Sequence, residues 1–136
     1  MRTGSCLCGA VTVKAAPEPH FHACHCGTCR KWSGGPLMAA VCGQDAEIEG
    51  EVTRYQSSPI AERGFCPACG THLFYYSVPA KLYVMPVSLF DDPSGLEMTA
   101  EIYVDDQPDY YAFAGNRARM TGAEFVAMVT QQMKGG

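Results

Sequence analysis

Seven of the eight cysteines in this 136-residue chain fall into three tight clusters: Cys6-Leu7-Cys8, then Cys24-His25-Cys26-Gly27-Thr28-Cys29, then Cys66-Pro67-Ala68-Cys69-Gly70. No other feature restricts the fold as strongly, because sulfurs this close in sequence must either cross-link or share a cation. Cys-x-Cys and Cys-x-x-Cys spacings suit tight turns that offer two thiolates to one Zn²⁺, which takes four N or S ligands with Zn–S near ~2.3 Å. The segment Cys66-Pro67-Ala68-Cys69-Gly70 has the composition of such a knuckle. Pro67 fixes φ in the turn, and Gly70 can adopt φ > 0 and let backbone N–H groups point at sulfur.

The ligand count then sorts the clusters. The Cys66 and Cys69 knuckle supplies two ligands and needs two more, which Cys6 and Cys8 can provide. Four thiolates close the coordination sphere, the pattern of a structural site. Cys24, Cys26 and Cys29 supply three and leave a fourth position for water, substrate or another side chain, the pattern of a site that does chemistry. Two Zn²⁺ ions are therefore expected, one structural and one open. Disulfides within the clusters are the competing reading. Cys26-Gly27-Thr28-Cys29 has the spacing of a redox pair, although no βαβ pattern surrounds it, and redox sensing through these thiols is a further possibility.

The remaining candidates carry weaker signals. Cys42 follows Ala39-Ala40-Val41 and reads as a small buried hydrophobe. His25 lies between two ligand cysteines and is expected to point away from an ion held by its neighbours. His20, His22 and His72 read as polar residues at strand ends, with His72 near enough to the last knuckle to orient a ligand.

Composition narrows the class. The AVILMFWYC set makes up 47% and charged residues 18%, which fits a folded globular chain and not a disordered one. The length suits one domain spanning residues 1–136. Ten Lys and Arg against fourteen Asp and Glu give a net charge of -4, with no basic run to track a phosphate backbone, so nucleic acid is not an expected partner. Met1-Arg2-Thr3-Gly4-Ser5 leads into Cys6 without the apolar segment of a secretory signal, and the longest apolar runs, at 37–42 and 73–76, fall far short of the ~20 residues of a membrane span. The expectation is a soluble cytoplasmic protein, not bound to membrane, in a reducing compartment where cysteines hold metal.

Period-two alternation dominates: Val11 and Val13 with Thr12 and Lys14, then runs at 37–42, 52–56, 73–76, 82–85 and 101–104. Proline and glycine punctuate these runs at intervals suited to antiparallel strands, so the chain reads as mainly β. One helix stands out. Thr121-Gly122-Ala123-Glu124 is a capping box, followed by Phe125, Met128, Val129 and Gln132 on one face, with Gly135-Gly136 after its end. A shorter turn is expected to begin at Thr28.

The sequences Gly4-Ser5-Cys6-Leu7-Cys8-Gly9-Ala10-Val11, Cys24-His25-Cys26-Gly27-Thr28-Cys29-Arg30-Lys31 and Arg63-Gly64-Phe65-Cys66-Pro67-Ala68-Cys69-Gly70, in that order, resemble the glutathione-dependent formaldehyde-activating family, which includes centromere protein V. A weaker likeness runs through Leu89-Phe90-Asp91-Asp92-Pro93 to Ile102-Tyr103-Val104-Asp105-Asp106-Gln107-Pro108-Asp109. The resemblance implies a β-tent, in which folded antiparallel sheets are pinned by a structural zinc at Cys6, Cys8, Cys66 and Cys69. It implies a second, catalytic zinc at Cys24, Cys26 and Cys29. It also implies carbon–sulfur lyase chemistry on a small thiol such as glutathione, whose addition to formaldehyde gives S-hydroxymethylglutathione. A non-catalytic zinc-stabilised binding module or a metal-handling protein is the alternative.

Three thiolates around one divalent ion make a weak Lewis acid with one negative charge, and Arg30, Lys31 and Arg63 are close enough in sequence to offset it. Trp32, Tyr110 and Tyr111 either wall a substrate pocket or pack in the core. The chain departs from the family pattern at Glu101, where members commonly carry histidine, and at Tyr110, where they carry tryptophan. The first departure is expected to alter a polar site.

Overall fold

The computed structural model describes residues 1–135 and is mainly β. In chain order the elements begin with β1 (Arg2–Ser5), β2 (Thr12–Ala15), β3 (His20–Cys24), α1 (Gly27–Ser33), β4 (Leu37–Gly43), β5 (Glu47–Glu49) and β6 (Thr53–Ser58). They continue with β7 (Ala61–Phe65), β8 (His72–Ser77), β9 (Leu82–Pro86), β10 (Glu97–Ile102), β11 (Ala118–Met120) and α2 (Gly122–Gly135). The chain divides into two compact units.

The first unit comprises Met1–Pro19 and Ala39–Leu96. It contains a three-stranded antiparallel sheet in the order β1-β2-β5 and an antiparallel run in the order β4-β9-β8-β7-β6. The apolar runs at 37–42, 52–56, 73–76 and 82–85 supply β4, β6, β8 and β9, as their alternation predicts. Val11, Val13, Leu73, Phe74, Met85, Leu89 and Phe90 form its core, together with Cys42, which is buried as expected of a small hydrophobe. Burial pushes the Cys42 thiol up to about 11, so it stays neutral. Gly64 is there for space: a Cβ on it would stand 2.3 Å from the Phe74 ring.

The second unit comprises His20–Met38 and the chain from Glu97 onward. Its three strands run in the order β11-β10-β3 and pair in parallel, with Ile102 opposite both Cys24 and Met120. Parallel neighbours need long connections, and residues 103–117 provide one between β10 and β11. The run expected at 101–104 ends as a strand at Ile102, because Tyr103 adopts a left-handed φ of 57° and a 3-10 turn, Val104–Asp106, follows.

The capping box forms: the Thr121 backbone N–H donates to Glu124 Oε1 at 3.0 Å, and the Glu124 N–H donates to Thr121 Oγ1 at 3.2 Å. Phe125 and Val129 are half-buried, with Phe125 against the rings of His22 and Tyr103. Met128 and Gln132 are exposed, so the helix docks by a narrower edge than its periodicity suggests. Gly135 is still helical, and Gly136 lies outside the described residues. No helix among the described residues is long and apolar enough to cross a membrane.

Candidate metal centres

In the first unit, two short segments 58 residues apart place Cys6, Cys8, Cys66 and Cys69 together, with all four sulfurs within 4.8 Å of one another. Each segment is a knuckle of the same construction. The Gly9 N–H donates to the Cys6 carbonyl at 3.2 Å, and the Gly70 N–H donates to the Cys66 carbonyl at 2.8 Å. Gly9 and Gly70 have φ of 82° and 80°, the left-handed region that closes such a turn without a Cβ penalty. Thr71 ties the knuckles together: its hydroxyl accepts the Leu7 N–H at 3.1 Å and stands 3.1 Å from Cys69 Sγ.

These sulfurs fit a tetrahedral Zn²⁺. A Zn–S length of ~2.3 Å sets sulfurs ~3.8 Å apart, and the Cys6–Cys8 and Cys8–Cys66 pairs stand at 3.6 and 3.8 Å. All eight cysteines are free thiols. The environment also divides the protons unequally. Hydrogen bonds from the Thr71 hydroxyl and from the Thr71 and Cys8 N–H groups pull the Cys69 thiol down to about 5. The Ala10 N–H favours the Cys8 thiolate, but the crowding sulfurs outweigh it and raise Cys8 to about 11. Only a cation lets all four ionise together.

In the second unit, Cys24 ends β3, Cys26 caps α1 and Cys29 lies in its first turn, with the three sulfurs within 4.8 Å of one another. The Cys26 sulfur takes the place usually held by a Ser or Asp oxygen, accepting the Cys29 N–H at 3.3 Å. Cys24 and Cys29 are buried. The sulfurs of Cys26 and Cys29, with burial, drive the Cys24 thiol far above its ordinary range, so this cluster too needs a cation to ionise fully. Three thiolates fit Zn²⁺ with one position left open.

His25 points away from the sulfurs, as its place in the sequence predicts. Both ring nitrogens are engaged, Nε2 with Glu101 Oε1 at 2.8 Å and Nδ1 with the Tyr111 hydroxyl at 2.6 Å, so neither is free to bind a metal. The His72 ring bonds the Phe74 carbonyl at 3.1 Å, and burial lowers it to about 4. His22 is likewise lowered to about 4 by burial, and His20 is exposed.

On α1, the helix that carries Cys29, a cleft of about 260 Å³ is lined by Gly27, Arg30, Lys31, Gly34, Gly35 and Tyr110. No carboxylate lines it. The Arg30 Nε–H donates to the His25 carbonyl at 2.9 Å, which fixes the guanidinium next to the cysteine segment. α1 stops at Gly34, whose φ of 79° turns the chain away. Of the residues expected at a pocket, Arg30, Lys31 and Tyr110 line it, whereas Trp32 and Tyr111 do not. Arg63 belongs to the first unit, where it is buried, donates from Nε to Ser57 Oγ at 3.2 Å and has its guanidinium 5.4 Å from the Tyr75 ring centre.

The sequence marks Glu101 only as a departure from the family pattern expected to alter a polar site, and assigns no role to Gln107, Arg117 or Arg119. The structure places Glu101 in full burial, its carboxylate taking bonds from His25, Arg117 and Arg119. A further sign was the alternation of Arg117 and Arg119, which puts both guanidinium groups on one side of the extended segment that enters β11.

Residues 1–106 match the family described as glutathione-dependent formaldehyde-activating enzyme. An uncharacterized lyase of Schizosaccharomyces pombe is 38% identical over 132 residues, covering 94% of this chain and 96% of that protein. The crystal structure of a Rhodobacter sphaeroides protein is similar in fold, with a TM-score of 0.57 and 23% identity over 65% of this chain and 87% of that one. By the matched span and by its yeast relative, the chain belongs to the glutathione-dependent formaldehyde-activating family.

Proposed function

We propose that the protein is a zinc-dependent carbon–sulfur lyase that makes or breaks the adduct of a small thiol with an aldehyde, as in the addition of glutathione to formaldehyde. The observation that carries this reading is the cluster of Cys24, Cys26 and Cys29, whose helix α1 also supplies Arg30 and Lys31 to a cation-lined cleft. The name of the yeast relative, a lyase, supports the reaction class. Cys6, Cys8, Cys66 and Cys69 would hold a structural Zn²⁺ that pins the first unit in the manner of a β-tent. Seven thiols serving as ligands call for a reducing compartment, so the reading places the protein in the cytoplasm.

Zn²⁺ held by Cys24, Cys26 and Cys29 would supply a position at which a thiol loses its proton near neutral pH or a carbonyl oxygen is polarised. The chain itself does the rest. Arg30 and Lys31 draw an anionic thiol into the cleft and counter the negative charge of three thiolates. The absence of side chains at Gly27, Gly34 and Gly35 keeps the cleft open, and Tyr110 forms its aromatic wall.

Metal-replete protein with a thiol and formaldehyde, followed by NMR exchange spectroscopy, tests the reading. Adduct exchange is expected to run faster than the uncatalysed rate, and Cys29→Ser is expected to remove the acceleration. Two bound zincs without acceleration across several thiols would leave a zinc-stabilised binding module in its place.

A further inference from the structure

A buried carboxylate is costly unless every lone pair is met by a donor, and Glu101 is only 1% exposed. Its Oε1 stands 2.8 Å from His25 Nε2 and 2.9 Å from an Arg119 nitrogen, and its Oε2 2.8 Å from an Arg117 nitrogen. Burial alone would raise the carboxyl, but Arg117, His25 and Arg119 hold it below the usual carboxylate range. Glu101 therefore stays ionised and accepts the Nε2–H of His25, while His25 Nδ1 shares a bond of 2.6 Å with the Tyr111 hydroxyl.

The bonds then close on themselves. Arg119 also donates to Gln107 Oε1 at 2.8 Å, Gln107 Nε2 donates to the Tyr111 carbonyl at 2.9 Å, and the Tyr111 hydroxyl returns to His25. His25 is locked on its backbone as well: its N–H donates to the Ile102 carbonyl at 3.0 Å and its carbonyl accepts from Arg30. The Tyr111 and Phe113 rings lie against the imidazole, with centroids 5.4 and 5.8 Å away. Every polar group of the residue between Cys24 and Cys26 is thus committed.

Side chains alternate along extended backbone, and Cys26 is extended at φ -63° and ψ 152°, so a His25 ring anchored on one side directs Cys24 and Cys26 to the other. From this arrangement we infer that Glu101 is a positioning residue of the three-sulfur centre, acting through His25 to fix the backbone that presents Cys24 and Cys26. The inference rests on reading Cys24, Cys26 and Cys29 as a metal centre. It assigns a purpose to the family departure at Glu101: a carboxylate with two arginines of this chain's own, Arg117 and Arg119, to keep it charged.

Zinc release from metal-replete protein into excess chelator, read with a chromogenic zinc dye, separates the possibilities. Wild type is expected to release two zincs in two phases, the faster one missing in Cys29→Ser. Partners that orient a metal site typically change affinity ~10–100-fold, so Glu101→Ala should speed the faster phase at least tenfold and leave the slower phase unchanged. Glu101→Gln keeps an oxygen for His25 and should fall between. Tyr111→Phe removes one hydroxyl and should speed the same phase severalfold. A merely structural role would speed both phases together or neither. An unchanged fast phase in Glu101→Ala, or in both Glu101→Gln and Tyr111→Phe if the alanine variant does not fold, overturns the inference. Wild type that binds a single zinc overturns the metal reading and this inference with it.

Discussion

The two cysteine clusters use the same ligand chemistry but are held in different ways. Cys6, Cys8, Cys66 and Cys69 come from two chain segments 58 residues apart and are shaped by backbone, with glycine turns and N–H groups aimed at sulfur. Cys24, Cys26 and Cys29 come from one six-residue segment and are held by side chains, with Glu101, His25 and Tyr111 behind it and Arg30 across it. An ion in the first cluster is a cross-link. An ion in the second adds little constraint to a chain already folded into a helical turn, so its position is free to serve chemistry.

The largest test of this difference is Cys66→Ser. Closing a loop of nearly 60 residues is worth about 4 kcal/mol in lost unfolded-state entropy, against about 2 for the short segment, by the arithmetic used for disulfides. Binding energy of the ion adds to the first figure, because a structural site exists only in the folded chain. Cys66→Ser is expected to lower the thermal midpoint by at least about 15 °C or to prevent folding, as read by circular dichroism. Cys29→Ser should lower it by less than a third as much while abolishing thiol–formaldehyde exchange. Equal losses in the two variants would erase the distinction between a cross-link and a site.

How much of this was legible follows from what each cluster depends on. The first cluster was readable because Cys66-Pro67-Ala68-Cys69-Gly70 carries its own turn chemistry, and Cys6 and Cys8 could supply the two ligands it lacks. The strands of the first unit were readable wherever Val, Leu and Tyr alternate, and α2 was readable from Thr121 and Glu124. The parallel pairing of β3, β10 and β11 was not, since no local pattern in His20–Cys24 records a neighbour nearly 80 residues away, nor one in Ala118–Met120 a parallel neighbour across the irregular segment 103–117. The support of the open cluster was hidden for the same reason. Glu101 meets His25 across 76 positions, and an isolated glutamate in a strand looks like surface until its arginines are placed.

A smaller effect is expected at the cleft lined by residues of α1, the helix that carries Cys29. Lys31 is exposed and lines it without forming an ion pair among the described residues, so Lys31→Glu should leave the thermal midpoint within about 2 °C of wild type. It reverses one of the two positive charges at the opening. The KM for a carboxylate-bearing thiol such as glutathione should rise about tenfold, near 1.4 kcal/mol, with little change for neutral 2-mercaptoethanol. Equal KM changes for both thiols would mean that the cleft does not read charge, and would leave the open coordination position as the sole contrast between the clusters.

The smallest effect concerns acid. The first cluster is shaped by N–H groups that do not titrate, whereas the second leans on a carboxylate that does. Glu101 is held below its usual value of 4.5 in the folded chain, so the stability it contributes is fully present above that pH and is lost as pH falls through the lower folded value. Glu101→Gln cannot gain or lose that proton. The wild-type thermal midpoint should exceed that of Glu101→Gln by a few degrees, by a constant margin from pH 7 down to about 5, and the margin should shrink below it as the wild-type carboxyl is protonated and comes to resemble the amide. Both proteins are compared in the Cys29→Ser background, so that zinc at the three-sulfur centre, which Glu101→Gln is expected to release faster, does not enter the difference. A margin that widened on acidification would mean that the carboxyl sits above 4.5, burial having prevailed over Arg117, Arg119 and His25, and the cluster would then be braced by a neutral group.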